Sequence, residues 1–304
     1  MKRAIRKVLL FFILFSLVDF LSKPLFMSLL ANAKPSAMKN MYDISVNCNK
    51  DIIVLGSSRA MHHYDSRIIE DSLHMSCLNC GAMSNGIVLM YGRYKLLTRH
   101  HNPKIIIYDV HPPFDLTVGD NSKYIPTLRP FADDENIKNL FDKIDKKENW
   151  KVHSNLYRFN SLLPELLAVN VRGDNCLFNG YAPLFNTKEF APPVRQKSFK
   201  SGEQKRIVYD SLKISLFRDI IMDCKKRNIK LIFAISPSYK LYLSRQAIPL
   251  FRLCKDNNIP VFCYEEKDFP VNEKKYYYDS YHLNDVGAQL FTKKFVSDLK
   301  KLQY

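Results

Sequence analysis

The sequence predicts an α/β protein in which a doubly wound, mostly parallel sheet of five strands carries helices on both faces. From about residue 45 onward, short apolar runs alternate with segments of helical period, as is typical of parallel sheets. Several of the apolar runs are unbroken, which favours strands that are buried on both faces. The chain has 304 residues, 46% hydrophobic and 25% charged, which is enough for one large domain with a sizeable core.

Five apolar runs are predicted as strands. They cover residues 51–55, 77–79, 104–110, 230–236 and 259–264. The third run is the clearest of them. It is stopped by Pro112 and Pro113, which cannot donate hydrogen bonds to a strand ladder.

Segments with apolar residues at helical spacing predict the helices. They lie at about 66–72, 84–100, 203–227 and 240–257, and a last helix follows Asn284. Ser84 and Asn284 have the side chains that N-cap positions prefer. Residues 112–202 break this rhythm and are rich in Asn, Pro and Lys. We interpret them as an insertion with a few short helices that forms a lid or a substrate wall.

Residues 1–33 are predicted to lie outside the globular domain, which would occupy residues 40–304. Four basic residues within positions 2–7 precede an apolar run over residues 8–18, the pattern of a secretory signal or a signal anchor. The sequence at 31–33 fits a cleavage site, but it lies far beyond the apolar run. We therefore expect an uncleaved, single-pass transmembrane helix that leaves the domain on the extracytoplasmic, periplasmic side of the cell membrane.

The chain is strongly basic, with a formal net charge of +16. Such a charge favours an anionic membrane face or an acidic glycan as a partner, although a soluble protein with a basic surface has the same composition. The sequence contains no zinc-finger, RNP or helix-turn-helix signature, and its Lys and Arg residues are scattered. We therefore expect no nucleic-acid partner.

Two short motifs, more than two hundred residues apart, carry the chemistry. Gly56-Ser57-Ser58-Arg59 directly follows the first strand, and Asp279-Ser280-Tyr281-His282-Leu283-Asn284 precedes the last helix. Together they supply a serine at a strand-to-helix turn, a histidine that can deprotonate it and an aspartate that can orient the histidine. This is the set that nucleophilic acyl transfer requires. Ser58 is the predicted nucleophile, and Ser57 in the same turn is its rival.

The carboxyl ends of the strands are where ligands bind in an open parallel sheet. Ser58 follows the first strand there and Gly81 follows the second, so their backbone N–H groups are the predicted oxyanion donors. Two weaker candidates for substrate binding are Arg59 and Tyr281. Arg59 would either contact an anionic group of the substrate or pair with a surface acid.

These residues resemble the SGNH (GDSL-like) hydrolase superfamily. The Gly-Ser-Ser and Asp-x-x-His blocks resemble that family's first and last blocks, and Asn79-Cys80-Gly81 resembles its second. The resemblance covers residues 45–110 and 203–300 and implies a flavodoxin-like three-layer fold. Gly-Ser-Ser-Arg behind an N-terminal anchor looks most like the branch of the D-alanine transfer proteins and the polysaccharide O-acetyltransferases. The family's third block usually supplies an oxyanion-binding Asn, where this chain has His111, which could donate instead.

Adjacent histidines at 62–63 and 100–101 are the remaining candidates for chemistry. Neighbouring side chains point in different directions, and no cluster of carboxylates or cysteines accompanies these pairs. We interpret them as surface or helix-end histidines and expect neither a metal site nor a cofactor.

The motifs, the resemblance and the predicted export together suggest a membrane-anchored serine esterase or acyltransferase. Its substrates would be an acyl donor and the O-acyl groups, above all O-acetyl groups, of a cell-envelope or capsular polysaccharide. The membrane would be contacted through the N-terminal helix, and a membrane acyl-transfer protein would be a further partner. The alternatives are a non-catalytic glycan-binding or assembly protein on the same scaffold, and a tethered lipase or esterase.

Overall fold

The computed structural model describes residues 1–172, 178–189, 207–239, 244–264, 268–270 and 272–302. The α-helices within these ranges are α1 (Lys2–Ala31), α2 (Ala37–Val46), α3 (Ser58–His63), α4 (Ser66–Leu73), α5 (Ile87–Leu97), α6 (Pro112–Asp115), α7 (Ile125–Leu128), α8 (Glu135–Ile144), α9 (Glu148–Lys151), α10 (Asn155–Phe159), α11 (Leu163–Val171), α12 (Ser211–Arg227), α13 (Ile248–Asn257) and α14 (Asp285–Lys300). The strands are β1 (Ile52–Gly56), β2 (Cys77–Asn79), β3 (Ile105–Asp109), β4 (Lys230–Ile235) and β5 (Val261–Cys263).

The chain folds into two compact units. One comprises Met1–Asp43 and Asn121–Asn175, and the other comprises Ile44–Asp120 and Cys176–Tyr304. The sequence divides the chain differently, into an N-terminal segment (1–33) and a domain (40–304) with an insertion at 112–202. These boundaries stay predictions. The second unit contains the sheet and both sequence motifs.

The five strands form one fully parallel sheet in the order β2-β1-β3-β4-β5. This confirms the predicted α/β class, the number of strands and their direction. Such an order is doubly wound, and it reverses at β1, which lies between β2 and β3. Residues that follow β1 and β3 therefore meet at the point where open parallel sheets form a crevice.

Both faces of the sheet are covered by helices. On one face, alternate residues of β1, β3 and β4 share a buried cluster with Phe291 and Phe295 of α14. On the other face, Tyr108 of β3 and Phe233 of β4 pack against Phe217 of α12, with ring centroids 5.1 and 5.5 Å apart. Because both side-chain faces are buried, the strands read as unbroken apolar runs in the sequence.

Three predicted helix starts differ from the structure. Asp210 accepts hydrogen bonds from the first N–H groups of α12, so that helix begins at Ser211, and residues 203–206 of the predicted helix lie outside the described residues. Ser84 is not a cap, because it has a φ of 56° and α5 begins only after Gly86. The helix predicted from residue 240 is a 3₁₀ turn at Ser244–Ala247 followed by α13, and residues 240–243 are not described. Asn284 caps α14 as predicted, since its side chain accepts from Gly287 N.

The first unit is helical. Its small core joins Leu30 of α1 and Met38 of α2 to Phe159 and Leu166 of α10 and α11. Many of the large apolar side chains of α1 between Ile5 and Leu25 are exposed. No helix among the described residues has both the length and the apolar character needed to cross a bilayer. The predicted transmembrane helix is therefore not supported, although a single helix does extend over Lys2–Ala31.

Candidate active site

The turn between β1 and α3 presents the serine pair. Gly56 ends β1 with a φ of +143°, and a Cβ atom there would lie 2.6 Å from Asp109 O. Ser57 is the N-cap of α3, and its buried hydroxyl accepts a hydrogen bond from Arg59 N at 3.4 Å. Ser58 is the first residue of α3. The glycine thus makes the sharp turn, Ser57 caps the helix, and Ser58 is left to face the neighbouring loop.

The structure brings Ser58, His282 and Asp279 together. Ser58 Oγ lies 2.8 Å from His282 Nε2, and His282 Nδ1 lies 3.0 Å from both carboxylate oxygens of Asp279. Ser58 is 8% exposed, so its hydroxyl is shielded from bulk water but still reachable. A serine, an imidazole and a carboxylate in this order have the geometry of an activated nucleophile.

The Asp279 carboxylate also shapes the loop that carries the histidine. Its Oδ1 atom accepts hydrogen bonds from Tyr281 N at 2.8 Å and from His282 N at 2.9 Å. Burial acts to raise the pKa of Asp279, but the hydrogen bonds and the nearby imidazole of His282 outweigh it and hold the pKa below 3.8. The carboxylate is therefore charged at neutral pH and favours an Nδ1–H tautomer of His282, which leaves Nε2 as the base.

Arg59 takes part in a buried network instead of a substrate contact. Its guanidinium donates to the hydroxyl and the carbonyl oxygen of Ser236, at the end of β4, and lies 3.7 Å from the Asp109 carboxylate. The side chain is only 1% exposed, so it has no surface to offer to a ligand. The prediction that Arg59 contacts an anionic substrate is therefore replaced by a role inside the protein, where the charge is paired and hydrogen-bonded as burial requires.

Gly81 lies against α3, the helix that begins at Ser58, but its N–H group already donates a hydrogen bond. A Cβ atom at Gly81 would lie 2.3 Å from Met61 N, so only glycine permits this close approach. The Gly81 N–H donates to Asn79 Oδ1 at 3.0 Å, and Asn79 Nδ2 in turn donates to the carbonyl oxygens of Ala60 and Tyr64. The loop after β2 is thereby fastened to α3.

His111 occupies the carboxyl end of β3, near the triad. Its backbone N–H donates to the buried carboxylate of Asp115 at 2.6 Å, which fixes the loop, and its ring is 8% exposed. Burial, together with the positive charges of Arg59 and His282, lowers the pKa of His111 to about 2. A neutral imidazole at this position can donate one N–H, and the role of His111 as a third oxyanion donor stays a prediction.

Tyr281 lies within the loop of the triad. Its ring belongs to a residue that is 37% exposed, between Asp279 and His282. The side chain is therefore accessible to a ligand, and the substrate contact of Tyr281 stays a prediction.

His62 and His63, predicted as surface or helix-end histidines, are the last two residues of α3, and both side chains are buried instead of exposed. His63 Nε2 accepts a hydrogen bond from Leu283 N at 3.0 Å, so its proton resides on Nδ1, which donates to Ser236 Oγ at 2.9 Å. The ring therefore ties α3 to the residue that follows His282. No local pattern indicates this contact, because its partners lie 173 and 220 residues away along the chain.

These buried histidines predict an acid-sensitive fold. Burial lowers the pKa of His62 from 6.5 to about 4 and places that of His63 well below 6.5. Between these values and pH 6.5 the unfolded chain binds more protons than the native protein, so stability falls as pH decreases. For His62 alone the loss from neutral pH to about pH 4 is roughly 3 kcal/mol.

Urea unfolding at a series of pH values between 7 and 4 measures this loss. We expect the variant His62→Asn to show a shallower decline, because its side chain does not titrate in this range. Equal slopes for the wild type and the variant would contradict the assignment.

No protein-family model and no curated protein matches the chain. Similar solved structures include a Bacteroides fragilis protein described as an acylhydrolase, at 11% identity, 88% coverage of this chain and 99% of that one, and a TM-score of 0.42. An acetyl xylan esterase matches at 14% identity, with 81% and 98% coverage and a TM-score of 0.39. A two-domain esterase active on acetylated mannans matches at 11% identity, with 90% and 56% coverage and a TM-score of 0.38. Likeness at these values shows neither the family nor the activity of this chain.

Proposed function

We propose that this protein is a serine acyl esterase or acyltransferase of the SGNH type, acting on O-acyl groups of a carbohydrate. The observation that carries the proposal is the hydrogen-bonded series from Ser58 Oγ to His282 Nε2, at 2.8 Å, and from His282 Nδ1 to Asp279, at 3.0 Å. Its members lie 224 and 3 residues apart, so the two halves meet only through the fold.

In the proposed reaction, Ser58 Oγ attacks the acyl carbon of the donor and its proton passes to His282 Nε2. Asp279 stabilises the imidazolium that forms. The proton then leaves with the alcohol of the donor, and the acyl group stays on Ser58. An acceptor hydroxyl reverses these steps: it loses its proton to His282, bonds to the acyl carbon and displaces Ser58, which regains a proton.

The negative oxygen of each tetrahedral intermediate needs hydrogen-bond donors. We assign this role to the backbone N–H groups of Ser58 and Gly81, with neutral His111 as a third donor. The Gly81 N–H would have to turn away from Asn79 Oδ1, to which it is bonded at 3.0 Å. In other enzymes one such donor contributes about 3 kcal/mol to the transition state.

The proposed substrate is an O-acetylated polysaccharide of the cell envelope or capsule, with a small acyl donor and a membrane acyl-transfer protein as further partners. Support comes from the resemblance of the motifs to polysaccharide O-acetyltransferases, from the net charge of +16, which suits an acidic glycan, and from the exposed Tyr281 beside the triad. Transfer passes the acetyl group to a sugar hydroxyl, and hydrolysis passes it to water.

A non-catalytic glycan-binding protein is the second candidate. It is favoured by the bond between the Gly81 N–H and Asn79, because an oxyanion site with an occupied donor would be a poor catalyst.

Acylation of the purified full-length chain separates these candidates. We expect incubation with p-nitrophenyl acetate to add the mass of one acetyl group, and peptide mapping to place it on Ser58. Adding a methyl glycoside should accelerate the loss of the adduct if the protein is a transferase. A folded protein that neither gains an acetyl group nor releases p-nitrophenol would favour the binding role.

We also propose that the protein functions outside the cytoplasm, attached to the cell membrane through α1. The support is the basic start of the chain and the row of exposed apolar residues that follows it. In flotation with vesicles that contain anionic lipid, the full chain should rise with the vesicles, and replacing Phe11, Phe12 and Phe15 by serine should abolish flotation. Equal flotation of both proteins would contradict the proposal.

A further inference from the structure

We propose that the Nε2 atom of His62 binds a second hydroxyl of the acyl acceptor, next to the hydroxyl that attacks the acyl group. This inference rests on the proposed function, because it assigns to His62 a place in the second half of that reaction. The ligand is defined by its chemistry: a neutral group that offers two O–H donors close together, such as the vicinal diol of a sugar or a water molecule.

His62 is placed beside the reacting groups by the helix that presents the nucleophile. It follows Ser58 by four residues in α3, so both side chains lie on the same face of the helix. Its ring meets the His282 ring edge to face, with centroids 5.5 Å apart. The residue is only 6% exposed, so its polar atoms must find partners in the protein or in a ligand.

The protonation of the ring follows from its contacts. His62 Nδ1 lies 2.6 Å from the carbonyl oxygen of Ala182, which can only accept, so Nδ1 must hold a proton. Ala182 is itself held in place, because its N–H donates to Met61 O at 3.0 Å. In the neutral ring Nε2 is therefore unprotonated and offers a lone pair.

This lone pair faces an unsuitable neighbour. The atom at 3.2 Å from Nε2 is the thioether sulfur of Met83, which has no proton to donate. Protonation of the ring would repair the contact, but burial and the charge of His282 oppose it and lower the pKa of His62 to about 4. Met83 is 53% exposed and can swing away, which would open Nε2 to a hydroxyl.

A second acceptor nitrogen beside His282, the Nε2 atom of His62, would orient the acyl acceptor. During deacylation the attacking hydroxyl must give its proton to His282, so that proton cannot also anchor the acceptor. A neighbouring O–H that donates to His62 Nε2 would hold the acceptor in line. No proton moves to His62: it is a hydrogen-bond acceptor throughout, and the bonds formed and broken remain those at Ser58 and His282.

Two substitutions of His62 separate the proposed role from a structural one. In His62→Asn the amide nitrogen can replace Nδ1 and keep the bond to Ala182 O, but nothing remains at the position of Nε2. In His62→Gln the longer side chain can place an amide oxygen near that position as an acceptor. Unfolding midpoints would show that both variants are folded.

The measurement resolves the two halves of the reaction in the full chain. The burst of p-nitrophenol from p-nitrophenyl acetate reports acylation, and its decay in water, methanol or ethylene glycol reports deacylation. We expect His62→Asn to slow deacylation by ethylene glycol and by water at least 10-fold more than it slows acylation, the equivalent of one hydrogen bond. Deacylation by methanol, which has a single hydroxyl, should change less, and His62→Gln should restore part of the rate.

The outcomes are distinguishable. An effect on ethylene glycol but not on water would assign the site to the sugar diol, and the reverse would assign it to the hydrolytic water. An equal loss in acylation and deacylation, or His62→Gln no better than His62→Asn, would overturn the inference. If folded wild-type protein neither gains an acetyl group nor releases p-nitrophenol, the proposed function itself fails, and the inference fails with it.

A spectroscopic measurement on the wild type covers the case in which a variant does not fold. Nitrogen NMR of the labelled protein at neutral pH should show His62 protonated on Nδ1 and unprotonated on Nε2. Ethylene glycol should shift the Nε2 resonance. A resonance that the diol leaves unchanged would exclude the sugar diol as the ligand, and a protonated Nε2 would overturn the inference.

Discussion

Replacing Ser58 by alanine is expected to lower kcat for p-nitrophenyl acetate by about four to six orders of magnitude, since removal of the proposed nucleophile would leave only binding and oxyanion stabilisation. The Ser58 hydroxyl lies 2.8 Å from His282 Nε2, so its removal leaves that base without the hydroxyl it would activate. Stability should change little, because the exchange removes a single oxygen atom at the surface of the site. Steady-state kinetics and urea unfolding of the same preparation measure both quantities.

The matched control is Ser57→Ala, one residue earlier. The Ser57 side chain caps α3 by accepting from Arg59 N, so its loss should cost about 1 kcal/mol of stability. Activity should stay within about tenfold of the wild type. If the Ser57 variant lost as much activity as the Ser58 variant and lost its acetyl adduct, Ser57 would be the nucleophile.

Replacing Gly56 by alanine is expected to destabilise the protein by roughly 3 kcal/mol or more. Gly56 has a φ of +143°, which side-chain-bearing residues rarely adopt, and the added methyl group would lie 2.6 Å from Asp109 O and 2.9 Å from Ala60 Cβ. Relief of this overlap must move β1 away from β3 or α3 away from the sheet. Either movement shifts Ser58 relative to His282, so kcat should fall together with the urea midpoint.

Gly119→Ala provides the comparison. A Cβ atom at Gly119 would meet nothing closer than Lys213 Nζ, at 3.7 Å. The stability of the Gly119 variant should therefore remain near that of the wild type, or rise slightly because alanine lowers the conformational entropy of the unfolded chain. A Gly56 variant as stable as the Gly119 variant would show that the turn before Ser58 does not require glycine.

The sequence was informative about the sheet and about the two motifs for related reasons. Strands β1, β3 and β4 are buried on both faces, and burial of this kind leaves unbroken apolar runs that can be recognised locally. Asp279 and His282 lie three residues apart, so their pairing across one turn is also a local property. The ends of helices were predicted less accurately. The backbone of Ser84 has a positive φ, so α5 begins after Gly86 and not at Ser84.

Residues whose roles depend on distant partners could not be predicted. Arg59 next to a predicted active site suggested either substrate binding or pairing with a surface acid, but its partners are Ser236 and the buried Asp109, at the ends of other strands. A few short helices were predicted within residues 112–202, but the start of α10 depends on Asp19 of α1, which accepts hydrogen bonds from Asn155 N and Leu156 N. In each case the deciding contact is absent from the local sequence.

The sequence by itself determined the α/β class, the five parallel strands and the identity of the Ser, His and Asp side chains, because each of these is encoded in apolar patterning or in neighbouring residues. Only the tertiary structure decided that Arg59 is buried, that the Gly81 N–H is bonded to Asn79, and that both ring nitrogens of His63 are used. It also decided that, beside His282, His62 Nδ1 lies against the carbonyl oxygen of Ala182 and His62 Nε2 lies against the sulfur of Met83. The physical reason is that burial and hydrogen-bond partnership arise from the packing of separate elements, and packing brings together residues that have no relation along the chain.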